Sequence, residues 1–122
     1  SWQLWRAIMT TKFTPAPWDQ VLPLGGVIKN GVNYPLSVSD EKLDGESWLD
    51  MRERTEPLRQ ERAREAEANI ALQKAAPDLY EALHCLTEEV KKMKADIKNH
   101  PKMIGHLFDA DAALAKARGE QS

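Results

Sequence analysis

The chain predicts an α+β protein: a small N-terminal β-hairpin or three-stranded sheet, followed by a helical region ending in an antiparallel helical hairpin. Three observations predict it. Two short β-prone runs flank Asn30-Gly31. Prolines at 15, 17, 23 and 35 keep a long helix out of the front of the chain. Further on, Leu79, Leu83, Leu86, Val90, Met93 and Ile97 recur at alternating spacings of four and three, the mark of a helix with one narrow apolar stripe.

The opening residues, 1–8, read SWQLWRAI and precede Met9, after which MTTKFTPAPW resembles a natural start. They are expected to be a non-native or upstream-translated leader. Trp2, Leu4, Trp5 and Ile8 could otherwise form one face of a short helix. Residues 9–39 form the expected β-region. Asn-Gly takes the two left-handed dihedrals of a type I′ turn, so Val27-Ile28-Lys29 and Val32-Asn33-Tyr34 should pair. A two-stranded hairpin is marginal in water, so it needs a third strand or a helix to cover it; Trp18–Leu22, ended by Pro23 ahead of a Gly25-Gly26 turn or bulge, can add that strand.

Residues 40–122 form the expected helical region. Ser47 can cap a first helix through Trp48, Leu49 and Met51, all three packing over the sheet. Pro57 restricts Glu56, which places a break near Thr55, itself the next N-cap. The Leu58–Ala75 segment interleaves Arg59, Arg62 and Arg64 with Glu61, Glu65 and Glu67, leaving Ala63, Ala66 and Ile70 as a thin stripe on a solvated helix. A second break falls at Ala76-Pro77, and a new helix runs to about Asn99.

Within that helix Leu83, Val90 and Ile97 fall at heptad position a, and Leu79, Leu86 and Met93 at d. Glu88 and Lys92 have the spacing of an ion pair along it. Asn99-His100-Pro101 ends it. The last helix, about Lys102 to Arg118, aligns Met103, Leu107, Ala110, Leu114 and Ala117, with Ile104, Phe108 and Ala115 beside them. Two short-looped helices with facing stripes most simply form an antiparallel hairpin, here over 78–118. The competing arrangement pairs Leu79–Ile97 with its own copy as a parallel dimer.

The composition bounds function. Charged residues make up 30% and the net charge is −2, which argues against a general polyanion binder. No apolar run is long enough to span a membrane. The single cysteine, Cys85, fits a reducing cytosol and reads as an inert, partly buried thiol. Chemistry is sparse. Gly25-Gly26 precedes a strand and has no following Gly-Lys-Ser/Thr, so no phosphate loop is expected. His84 and Cys85 point about 100° apart on a helix, and His100 and His106 straddle a proline break, so no metal or other cofactor is expected. Asp109 and Asp111 do not share a helix face, and no catalytic residue stands out. Lys91, Lys92, Lys94, Lys98 and Lys102 form a basic cluster offset by Asp96, a possible contact for an anionic nucleotide or nucleic acid.

Some phrases carry a resemblance. Phe13-Thr14-Pro15-Ala16-Pro17-Trp18 resembles the FTPGPW opening of small phage and prophage accessory proteins. Glu67-Ala68-Asn69-Ile70-Ala71-Leu72, with Ala75-Ala76-Pro77-Asp78-Leu79-Tyr80-Glu81-Ala82-Leu83, is similar to their EANARLIAAAPDLYEAL phrase. Ala112 to Glu120 is similar to their terminal ALAKARGE. Ala16 stands where they have glycine, and Gln73-Lys74 where they have Ile-Ala. The resemblance implies a variable β-rich front, a helical back and no catalytic residues to carry over.

The expectation is therefore a cytoplasmic, non-enzymatic accessory protein of a bacterial host's phage or prophage. It would act by binding a host, defence or phage protein, and itself as a homo-oligomer. The alternative is a sponge for an anionic nucleotide or nucleic acid.

Overall fold

Asn30 and Gly31 both take left-handed backbone angles, φ 51° and 78°, and close the expected hairpin. The computed structural model describes residues 12–120; the leader read at 1–8 lies outside them. Strand β1 is Gln20–Val21, β2 is Val27–Lys29 and β3 is Val32–Tyr34. They form one antiparallel sheet in the order β1-β2-β3. Val27 pairs with Tyr34 and Val21, and Lys29 with Val32. The short third strand is the one expected within Trp18–Leu22. A 3-10 turn, Pro23–Gly25, joins β1 to β2.

Helix α1 runs unbroken from Trp48 to Lys91. Ser47 caps it: the Asp50 amide donates to the Ser47 hydroxyl at 3.0 Å. The breaks expected at Thr55 and at Ala76-Pro77 do not occur. Thr55 is not a cap but a buried helix residue whose hydroxyl donates to the Met51 carbonyl at 2.9 Å. A proline inside a helix removes one hydrogen bond and costs about 3 kcal/mol. Pro57 is exposed, as is Glu53, whose carbonyl loses its donor, so water can satisfy it. Burial of Met51, Thr55 and Asn69 holds the helix on both sides of Pro57.

The helix also stops earlier than Asn99. The amides of Lys92 and Met93 donate three residues back, to Glu89 and Val90, at 3.2 and 3.0 Å. This tightened turn ends α1. A four-residue helix α2, Lys94–Ile97, follows, and then α3, Pro101–Ala117, with its proline in the first turn. Gly119, at φ 81°, ends α3 as a Schellman motif, with Gly119 and Glu120 amides donating to Lys116 and Ala115 at 3.0 Å each.

The chain divides into two compact units, Ser1–Lys74 and Ala75–Ser122. The first centres on Val27, Met51, Thr14, Thr55 and Asn69, all buried. Only Met51 of the expected Trp48-Leu49-Met51 cover is inside; Trp48 and Leu49 are 62% and 67% exposed. In the second unit Ile97, Leu114 and Thr87 are buried. There α3 returns antiparallel to α1: Lys91 bridges Asp111 at 3.1 Å, and Arg118 donates to the Tyr80 hydroxyl at 3.1 Å. The expected hairpin is thus present.

Candidate binding surfaces

The FTPAPW segment is held by one asparagine. Asn69 is fully buried in mid-helix. Its side-chain oxygen accepts the Thr14 amide at 2.8 Å. Its nitrogen donates to the Thr14 hydroxyl at 2.9 Å and to the Gly25 carbonyl at 2.8 Å. The Thr14 hydroxyl in turn donates to Glu65 at 2.5 Å, and the Trp18 indole donates to the Thr14 carbonyl at 2.8 Å. Every polar group of the asparagine has a partner, which buried amides require. Asn69 thus sets a polar group into the inward face of this stretch of α1; of the expected apolar stripe Ala66 and Ile70 are half-buried and Ala63 is exposed.

Gly25 lies against the same helix. A Cβ there would meet the Ala66 carbonyl oxygen at 2.2 Å, so only glycine fits. This close approach pins the 3-10 turn and presents Leu24, which is 90% exposed at φ 62°. A leucine in the left-handed region costs roughly 1–2 kcal/mol. Val21, Val32, Leu36 and Leu43 are also exposed on this unit. The Lys42 ammonium sits 4.6 Å from the Trp48 ring centroid and Lys29 sits 5.6 Å from that of Tyr34.

Ahead of α1, Glu46 accepts the Arg54 guanidinium at 2.8 and 3.0 Å and the Leu43 amide at 3.0 Å. The Arg54 hydrogen bonds, followed by the Leu43 amide, lower the Glu46 carboxyl from 4.5 to about 2. Arg59 pairs with Asp40 nearby.

In the hairpin the heptad stripe divides. The a residues Leu83 and Val90 are half-buried and Ile97 is buried, whereas the d residues Leu79, Leu86 and Met93 are exposed. The covered face is Tyr80, Leu83, Thr87 and Val90, rotated from a/d towards e. On α3, Leu107 is half-buried and Leu114 buried, but Met103 is exposed. Cys85 is exposed, against the expected partly buried thiol.

Of the basic cluster, Lys91 bridges Asp111 and, at 3.5 Å, Glu88. The Asp111 hydrogen bond raises its pKa. Lys92 pairs with Glu89 at 3.0 Å rather than with Glu88. Lys98 and Lys102 are exposed, and the Lys94 side chain lies outside the described positions. Among the described residues no group of three His, Cys, Asp or Glu stands together as a metal site.

Sequence reasoning missed Thr14, Asn69 and Leu24, and read Gly25 as a turn residue without its contact with Ala66. The available signal was an asparagine and a threonine inside the phrases that carry the resemblance. Among the described residues no helix is long and apolar enough to cross a membrane. A family model described as Salmonella phage P22 protein Y8K6 matches residues 9–121. No curated protein and no solved structure matches the chain.

Proposed function

The chain belongs to the Salmonella phage P22 protein Y8K6 family, and from that premise we propose a non-enzymatic phage accessory protein that works by binding other proteins. The partner proposed is a host or defence component in the bacterial cytoplasm, together with a second copy of the chain. One observation carries the reading. Among the described residues four hydrophobic side chains are buried, while thirteen large ones are exposed. Scattered exposed leucines are ordinary on a monomer. Here they include Leu24, held outward on a strained turn that the Gly25–Ala66 contact fixes in place. Strain kept at an exposed apolar residue is a mark of a contact surface.

The anionic-ligand alternative has less support, because Lys91 and Lys92 already hold carboxylates. Its discriminator is a salt-dependent affinity that falls when Lys91, Lys92 and Lys94 are replaced by glutamate.

The test is capture from host lysate, quantified by mass spectrometry, with the native protein and Leu24→Glu side by side. A partner enriched by the native protein and lost with Leu24→Glu supports the reading. Identical capture by both removes Leu24 from it, and no saturable partner for either removes the host-binding role.

A further inference from the structure

We propose that Arg62 anchors a carboxylate of the partner protein, an aspartate or glutamate side chain flanked by apolar residues. This rests on the protein-binding reading and names the chemistry its partner presents.

Arg62 stands on the inward face of α1. It is eleven residues from Met51 and seven from both Thr55 and Asn69, which places it within about 20° of all three directions on the helix. Those three side chains are buried. Arg62 itself is half-buried. Its Nε is buried and has no hydrogen-bond partner among the described residues.

The other described arginines are either paired or in water. Arg54 holds Glu46, Arg59 holds Asp40 and Arg118 holds Glu120. Arg52 and Arg64 are exposed. The acid placed to pair with Arg62 along the helix is Glu65, and its carboxylate accepts the Thr14 hydroxyl instead. Among the described residues no carboxylate forms an ion pair with Arg62. A half-buried guanidinium in this state has given up water without gaining an acceptor, which costs stability. An acceptor brought by a partner removes that cost.

The guanidinium selects the class of acceptor. Its planar fork matches the two oxygens of a carboxylate. The next cation on this side of α1, Arg59, is already held by Asp40, so one positive charge is on offer. One charge balances a carboxylate and leaves a phosphate dianion half-compensated. Apolar surface lies along the helix on either side. Leu58, one turn before Arg62, is 43% exposed. Ala66, one turn after it, receives Gly25, and the residue before Gly25 is Leu24. A carboxylate bound beside these leucines is shielded from water, where a charged hydrogen bond is strongest. Arginine dominates binding at interfaces whose surrounding contacts exclude water.

The experiment selects peptides from a displayed random library on the immobilised full-length protein. The expected peptides share an aspartate or glutamate beside apolar residues. Changing that acid to its amide in a synthetic peptide should weaken binding to the native protein by about tenfold or more. This comparison needs no variant of the protein. Arg62→Met keeps the apolar stem and should lose binding by a similar factor, after which the acid-to-amide change makes no further difference. Its thermal midpoint should equal or exceed that of the native protein, because the charge serves the partner and not the free fold. Selected peptides with no shared acid, or acid and amide forms that bind the native protein alike, overturn the proposal. So does an Arg62→Met protein that binds as tightly as the native one. Displacement of the peptide by inorganic phosphate but not by acetate, at equal ionic strength, assigns Arg62 to a free phosphate and overturns it too. In host lysate, a partner captured equally by native and Arg62→Met protein removes the anchor and leaves the protein-binding role standing. No saturable partner for either removes the role itself.

Discussion

The amide of Thr14 donates to the side-chain oxygen of Asn69 at 2.8 Å, across 55 residues of sequence. Thr14 sits in the FTPAPW phrase and Asn69 in the EAN phrase, so two segments that resemble phage proteins meet in one hydrogen-bonded node. Each completes the other's buried polar groups. Neither one supplies a binding surface, because Thr14 and Asn69 are fully buried.

Asn69→Ala should destabilise the first unit by about 2–4 kcal/mol, because the Thr14 amide and Gly25 carbonyl are left buried without partners. The Trp18 indole bonds the Thr14 carbonyl, so tryptophan fluorescence during urea unfolding reports on the node. A midpoint unchanged from the native protein would mean that the node does not form.

Gly25 and Gly31 both have positive φ, but only Gly25 faces backbone at contact distance. Gly25→Ala should therefore cost about 2–4 kcal/mol, from overpacking plus the left-handed conformation. Gly31→Ala, with nothing within 4 Å of the new Cβ, should cost about 1 kcal/mol. Equal losses in thermal unfolding would contradict the close approach of the 3-10 turn to α1.

Gln73 is half-buried on α1. Its side-chain nitrogen is buried with no hydrogen-bond partner among the described residues. Gln73→Ile should raise stability by about 1–2 kcal/mol, since an unpaired buried amide is exchanged for an apolar side chain. A lower urea midpoint would show that the amide has a partner in solution.

Pro57→Ala should stabilise the protein by about 2 kcal/mol, restoring a hydrogen bond to Glu53 within a continuous helix. Circular dichroism should show helix content unchanged or slightly higher. Destabilisation would mean that the chain bends at Pro57 after all.

Glu46 sets an acid limit on the loop ahead of α1. Its carboxyl is lowered from 4.5 to about 2 in the fold, so its stabilising contribution is complete above 4.5 and is lost as pH falls towards about 2. Carboxyl resonances followed by NMR should show this group titrating near the lower value, and Arg54→Ala should return it towards 4.5. A midpoint near 4.5 in the native protein would rule out the Arg54 contact.

Much of the architecture was legible in the residues. Asn30-Gly31 specified the hairpin turn, Ser47 the start of α1, and Gly119 the end of α3, because each acts through its own backbone dihedrals or its nearest amides. The proline breaks were misread for the opposite reason. A proline's local penalty of about 3 kcal/mol is comparable with what a few buried side chains return, and burial depends on partners distant in sequence. The same distance hid which apolar side chains stay exposed. The heptad marked six apolar positions without saying which of them α3 would cover.

The sequence by itself determined the class of fold, the sheet turn, the capping residues, the antiparallel hairpin and the resemblance to phage proteins. All of these rest on interactions within a few residues or on periodicity. Tertiary structure alone decided that α1 runs through Pro57 and Pro77, that Asn69 joins Thr14 to Gly25, that Leu24 faces outward, and that Leu79, Leu86 and Met93 are left exposed. Those outcomes depend on which distant groups remove a residue from water, and pairing across 55 residues leaves no local trace in either partner.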